Sequence, residues 1–141
     1  MAEAILARLG RDRFVAHSAG SNPAGWVHPL VEAALAPLAI PVLEDARAKS
    51  WDEFENRPID WVITLCDAAA REVPDWMKRH PITHWSTPDP SFATGTDEDR
   101  LVAAMRVAER LALKIERLVT LDFDRLDKAA LQARLDEISQ L

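Results

Sequence analysis

Tyrosine is absent from this 141-residue sequence, cysteine occurs once and glycine only four times. The single cysteine, Cys66, excludes an intrachain disulfide and a thiolate zinc cage built from this chain, which fits a reducing compartment. No apolar run approaches the roughly 20 residues that span a bilayer, and no basic segment leads into an apolar one at the start. Neither membrane attachment nor a secretory signal is expected, and a cytoplasmic location is the default. Lys and Arg number 17 against 23 Asp and Glu, and they are interleaved with the acids, so no clustered cationic surface for nucleic acid is present. The composition is otherwise that of a folded globular protein, with 48% hydrophobic and 28% charged residues, which argues against disorder. A chain of this length forms one core and buries about two-thirds of the surface its unfolded form exposes. The five tryptophans lie in separate segments and read as core and cleft packing.

The periodicity predicts alternating helices and strands. Ile5, Leu6 and Leu9 share one side of a first helix, with Gly10 as a left-handed stop. Arg13 to Ser18 reads as a strand, followed by a turn-rich loop over residues 18–25. Pro29 suits the first turn of a second helix reaching about Leu38, whose last turn Pro37 disturbs. Ser50 and Glu53 have capping-box spacing, which predicts a short helix from Trp51 to about Asn56. Ile59 to Cys66 is nearly continuous in apolar and β-branched residues, as a parallel strand buried on both faces would be, and a shorter strand is expected over Ile82 to Trp85. Thr96 and Asp99 open a long helix whose apolar stripe runs from Leu101 to Val119 and whose Lys and Arg residues form a solvated face. Residues 126–141 repeat apolar positions at helical spacing, predicting a final helix that packs on the domain or on a second subunit. Such alternation implies a three-layer α/β domain with a parallel sheet. Its first helix, however, has no strand before it from which to cross over.

Two residues stand where chemistry is expected. Cys66 ends the best strand, at the carboxyl edge where open α/β sheets bind ligands, and is either a nucleophilic or redox thiol or a small packing residue. Asp89 lies between two prolines in Thr87-Pro88-Asp89-Pro90, a setting that can orient a general acid or base and is also an ordinary turn sequence. His80 and His84 are four apart, but Pro81 and the strand between them remove the helical geometry of a metal pair. His17 and His28 are solitary.

The order Met1-Ala2-Glu3-Ala4, Arg13-Phe14 with Ser18-Ala19-Gly20, Val62 to Asp67, and His84-Trp85 through Pro88-Asp89-Pro90 resembles the arsenate reductases of the low-molecular-weight protein tyrosine phosphatase family. The similarity runs from Met1 to about Val119. It implies a domain over residues 1–120 with a helical extension over 121–141, and a parallel sheet of family order 2-1-3-4. It also implies chemistry on an oxyanion, arsenate or a phosphate ester, with no cofactor or metal. In this resemblance Asp89 matches the general acid or base, and Cys66 matches the second redox cysteine of the thioredoxin-coupled reductases. Val73 occupies the place of the third cysteine, so no intramolecular disulfide relay can be completed. Ser91-Phe92 after Asp89-Pro90 departs from the aromatic residues that the tyrosine phosphatases place there. Family members begin with a strand and a Cys-x5-Arg loop, whereas Met1 matches an internal methionine. Strand 1 and the nucleophile are therefore expected to be missing, and this polypeptide is expected to be truncated and inactive. Cys66 to Arg71 is one residue short of such a loop and lacks its glycines. Strands 2 and 3 would then present facing unpaired edges, to be relieved by direct pairing or by exchange in a homo-oligomer. Thioredoxin or glutaredoxin is the implied redox partner, and a non-catalytic interaction module is the alternative reading.

Overall fold

The computed structural model describes all 141 residues. Five helices, α1 (Ala2–Gly10), α2 (Leu30–Leu35), α3 (Asp67–Arg71), α4 (Asp97–Val119) and α5 (Lys128–Ser139), surround two strands, β1 (Val62–Thr64) and β2 (Ile82–His84). The strands pair in parallel, with Val62 opposite Ile82 and Thr64 opposite His84. Helix α4 is the spine, because its apolar stripe buries Ala104, Ala108, Leu111, Ile115 and Leu118 against Ile5 of α1, Leu35 of α2 and Trp85. Its start is the predicted capping box: Thr96 Oγ1 accepts from the Asp99 amide at 3.2 Å, and the Asp99 carboxylate accepts from the Thr96 amide at 2.8 Å. Helix α5 docks on the same domain, burying Leu135 and Ile138, while Gln132 Nε2 donates to the Ile82 carbonyl at 2.8 Å.

Several local expectations are corrected. Arg13 to Ser18 is not a strand: Phe14 has extended dihedrals, yet Val15 to Ala19 make no backbone hydrogen bond, because no strand lies beside them to accept one. The nearest ladder element is a single parallel bridge between Gly20 and Ser50. The segment is held at its ends instead. Arg13 donates to the carbonyls of Val119 (3.0 Å) and Leu121 (3.3 Å), and Ser18 donates to Glu3, which also pairs with the largely buried Lys49 at 3.1 Å.

Gly10 is right-handed, and the positive φ of 49° falls on Arg11. Glycine is required at 10 for space, since a Cβ there would stand 2.6 Å from Phe14 Cδ2. Lys114 is not on the solvated face of α4. It is 4% exposed, and its Nζ donates to the Ser139 carbonyl at 2.7 Å, tying α4 to the end of α5. The ladder of β1 covers three residues rather than the expected eight, and Val62 and Ile63 are only half-buried, because one side of the strand has no neighbour. Direct pairing between the two segments that flank that side does not occur.

Candidate functional site

The carboxyl edge of the sheet gathers the residues singled out above. Cys66 follows β1 and caps α3, its Sγ accepting from the Ala69 amide at 3.4 Å, and its side chain is exposed. Asp89 lies in the loop after β2, where Oδ1 accepts from the Ser91 amide (2.9 Å) and the Ser91 hydroxyl (2.7 Å). These two bonds form an Asx turn that fixes the carboxylate while leaving it open to solvent. Both residues line one cavity of about 230 Å³, closed by Met1, Ala2, Leu65 and the prolines either side of Asp89, with Val107 and Leu111 of α4 as its floor. The fold thus brings together a thiol and a carboxylate that are 23 positions apart in sequence. Burial pushes the Met1 α-amino group below its ordinary value, an effect that Glu3 partly counters. No arginine or lysine side chain lines the cavity, so tetrahedral oxyanion oxygens would find no guanidinium there.

A polar network beside the cavity escaped the sequence reading. His84 Nδ1 lies 2.9 Å from Thr64 Oγ1 and 3.1 Å from the Thr64 carbonyl, and Nε2 lies 3.0 Å from Asp67 Oδ1. His84 therefore links the ends of both strands to the residue that follows Cys66. The signal was available, because Thr64 and His84 are cross-strand partners once the two strands are set in register. His80 takes no part in this network.

A second, larger space of about 1540 Å³ opens on the free side of β1. One wall is the extended segment around Phe14 to Ser18 and the other is Trp61 to Leu65, with α1 and the C-terminal end of α4 behind. Phe14, Trp61 and Phe123 stack together within it, Trp61 lying parallel to Phe123 at 5.0 Å and Phe14 edge-on to both.

The model of the low molecular weight phosphotyrosine protein phosphatase family matches residues 1–129. An arsenate reductase of Halalkalibacterium halodurans is 29% identical over 116 residues, 82% of this chain and 82% of that protein. An arsenate reductase of Shouchella clausii is 27% identical over 117 residues, 83% of each. With a small parallel sheet, helices packed about it and a family match over most of its length, this chain belongs to the low molecular weight phosphotyrosine protein phosphatase family.

Proposed function

We propose that this domain is of arsenate reductase type and acts on a tetrahedral oxyanion, with Asp89 as proton donor or acceptor and Cys66 as a redox thiol served by thioredoxin or glutaredoxin. The observation that carries this reading is the convergence of Cys66 and Asp89 on one cavity at the carboxyl edge of β1, where ligands of parallel sheets bind. Similarity to two arsenate reductases favours arsenate over a phosphate ester. Within residues 1–141 no Cys-x5-Arg loop occurs and the cavity has no cationic side chain, so this polypeptide by itself lacks both a nucleophile and an anion cradle. It is therefore inactive alone.

Two assays test the proposal. Residues 1–141, supplied with thioredoxin or glutaredoxin, should reduce no arsenate and hydrolyse no p-nitrophenyl phosphate; turnover that Cys66→Ser abolishes would refute the inactivity. A fusion carrying an apolar strand and a Cys-x5-Arg loop ahead of Met1 should gain turnover, and Asp89→Asn should lower it by about 10²–10⁴-fold, the usual worth of a general acid. An active fusion indifferent to both Asp89→Asn and Cys66→Ser would refute the roles. A non-catalytic interaction module is the second reading.

A further inference from the structure

We propose that His84 is a positioning residue for Cys66: it holds the turn from β1 into α3 and keeps the Asp67 carboxylate away from the thiol. This role rests on the reading of Cys66 as a redox thiol. Helix α3 has five residues, too few to stand alone, and none of them is buried. Its place, and that of the thiol at its start, is therefore set by polar ties to the rest of the domain. Cys66 stands between two such ties, both from the β2 side of the sheet. Just before it, the Thr87 amide donates to the Leu65 carbonyl at 2.8 Å; just after it, His84 Nε2 lies 3.0 Å from Asp67 Oδ1. The first tie joins the loop of Asp89 to the end of β1, and the second joins β2 to the first turn of α3.

The other ring nitrogen is anchored in the sheet. Nδ1 lies 2.9 Å from Thr64 Oγ1 and 3.1 Å from the Thr64 carbonyl. Thr64 is buried, and the other acceptor its hydroxyl meets, the Thr83 carbonyl, is 3.5 Å away, at the limit of a hydrogen bond. The partners assign the ring's protons: with Nε2–H donating to the carboxylate, Nδ1 accepts from the Thr64 hydroxyl. A second proton on the ring turns Nδ1 into a donor to the Thr64 carbonyl, so the hold on Asp67 survives either charge state. Because Thr64 is buried, this chain of contacts supplies no hydroxyl nucleophile; its effect falls on Cys66. A thiol attacks as the thiolate, and a free carboxylate on the adjacent residue disfavours that anion. Bound to His84, the Asp67 carboxylate is held in a hydrogen bond instead of swinging toward Sγ, while the Ala69 amide, 3.4 Å from Sγ, favours the thiolate.

Cys66 is the one cysteine of the chain and is exposed, so its alkylation by iodoacetamide reports on this thiol without interference from a second. The test is the second-order alkylation rate of residues 1–141 at neutral pH. His84→Gln places its amide where Nε2 stood and keeps the bond to Asp67, whereas His84→Asn places its amide where Nδ1 stood, against Thr64, and does not reach Asp67. Expected is a rate within about twofold of the unaltered protein for His84→Gln and about three- to tenfold lower for His84→Asn, the effect of one free carboxylate near a solvated thiolate. Adding Asp67→Asn to His84→Asn removes the charge and should bring the rate back to within about twofold. An unchanged or faster rate in His84→Asn, an equal loss in both His84 variants, or no recovery on adding Asp67→Asn would each overturn the proposal. Imidazole nitrogen shifts in the NMR spectrum of the unaltered protein test it apart from the folding of any variant: His84 should carry a proton on Nε2, and a ring protonated at Nδ1 alone would overturn it. None of these readouts involves turnover, so this role and the proposed arsenate chemistry can fail separately.

Discussion

Gly10→Ala sets two known effects against each other. Gly10 is right-handed, at the end of α1, so alanine should gain up to about 1 kcal/mol of helix propensity. Against this, the added Cβ would lie 2.6 Å from Phe14 Cδ2 and 3.0 Å from Phe14 Cβ. The ring can rotate away from the first clash, but the second atom moves only with the backbone, and overpacking of this kind costs about 1–3 kcal/mol. The net expectation is a loss of about 1 kcal/mol. With an unfolding entropy near 2.1 cal/mol/K per residue, that corresponds to a Tm lower by about 3 °C. In a Phe14→Ala background the clash is gone and the same substitution should raise Tm by about 2–3 °C. The assay is a double-mutant cycle by thermal denaturation, with Trp61 fluorescence reporting whether Phe14 has left its edge-on position 6.1 Å away. An equal shift in both backgrounds would refute the reasoning, since Gly10 would then not be set by Phe14.

Leu135→Ala should destabilise by about 2–5 kcal/mol, because Leu135 is fully buried where α5 meets β2; a Tm unchanged within error would mean α5 is not docked. Thr96→Ala should cost about 1 kcal/mol by removing the side-chain cap of α4, measured by denaturant unfolding. The Thr96 amide and hydroxyl hold Asp99 below its ordinary carboxylate value, so its contribution is complete above the unfolded value near 3.8 and is lost as pH falls through the lower folded one. Asp99→Asn should thus lower Tm at neutral pH, and the difference should shrink as pH falls below about 3.8. Burial, with Arg110 adding in the same sense, lowers the Lys114 ammonium from its ordinary 10.5. The unfolded chain then binds more protons in the window below 10.5, so stability rises with pH there, and Lys114→Met should abolish that rise in a pH series of melts.

Helices were legible wherever a local rule decides them. The Thr96–Asp99 and Ser50–Glu53 capping boxes and the apolar stripe of α4 stand where periodicity put them, because each depends on residues within one or two turns. What periodicity could not see was tertiary. Phe14 to Ser18 has strand-forming residues but no neighbour to pair with, and a strand exists only as a pair. Lys114 carries the sequence signature of a surface residue, and only the carbonyl of Ser139, 25 positions away, accounts for its burial. At the site, Cys66 and Asp89 were visible from their places at strand and loop ends. The link from His84 to Asp67 was not, because it depends on the register of β1 against β2 and on the turn into α3.

The open edge of β1 is tested most directly by residue-resolved amide hydrogen exchange on the free protein. Val62, bonded to the Pro81 carbonyl, and Trp85, bonded to the Thr64 carbonyl, should be protected, while Ile63, which lies between Val62 and Thr64 in the same strand, exchanges at least about tenfold faster. Protection of Ile63 equal to that of Val62 and Trp85, in a monomeric sample, would show that the edge is already paired and would contradict the structure's central feature.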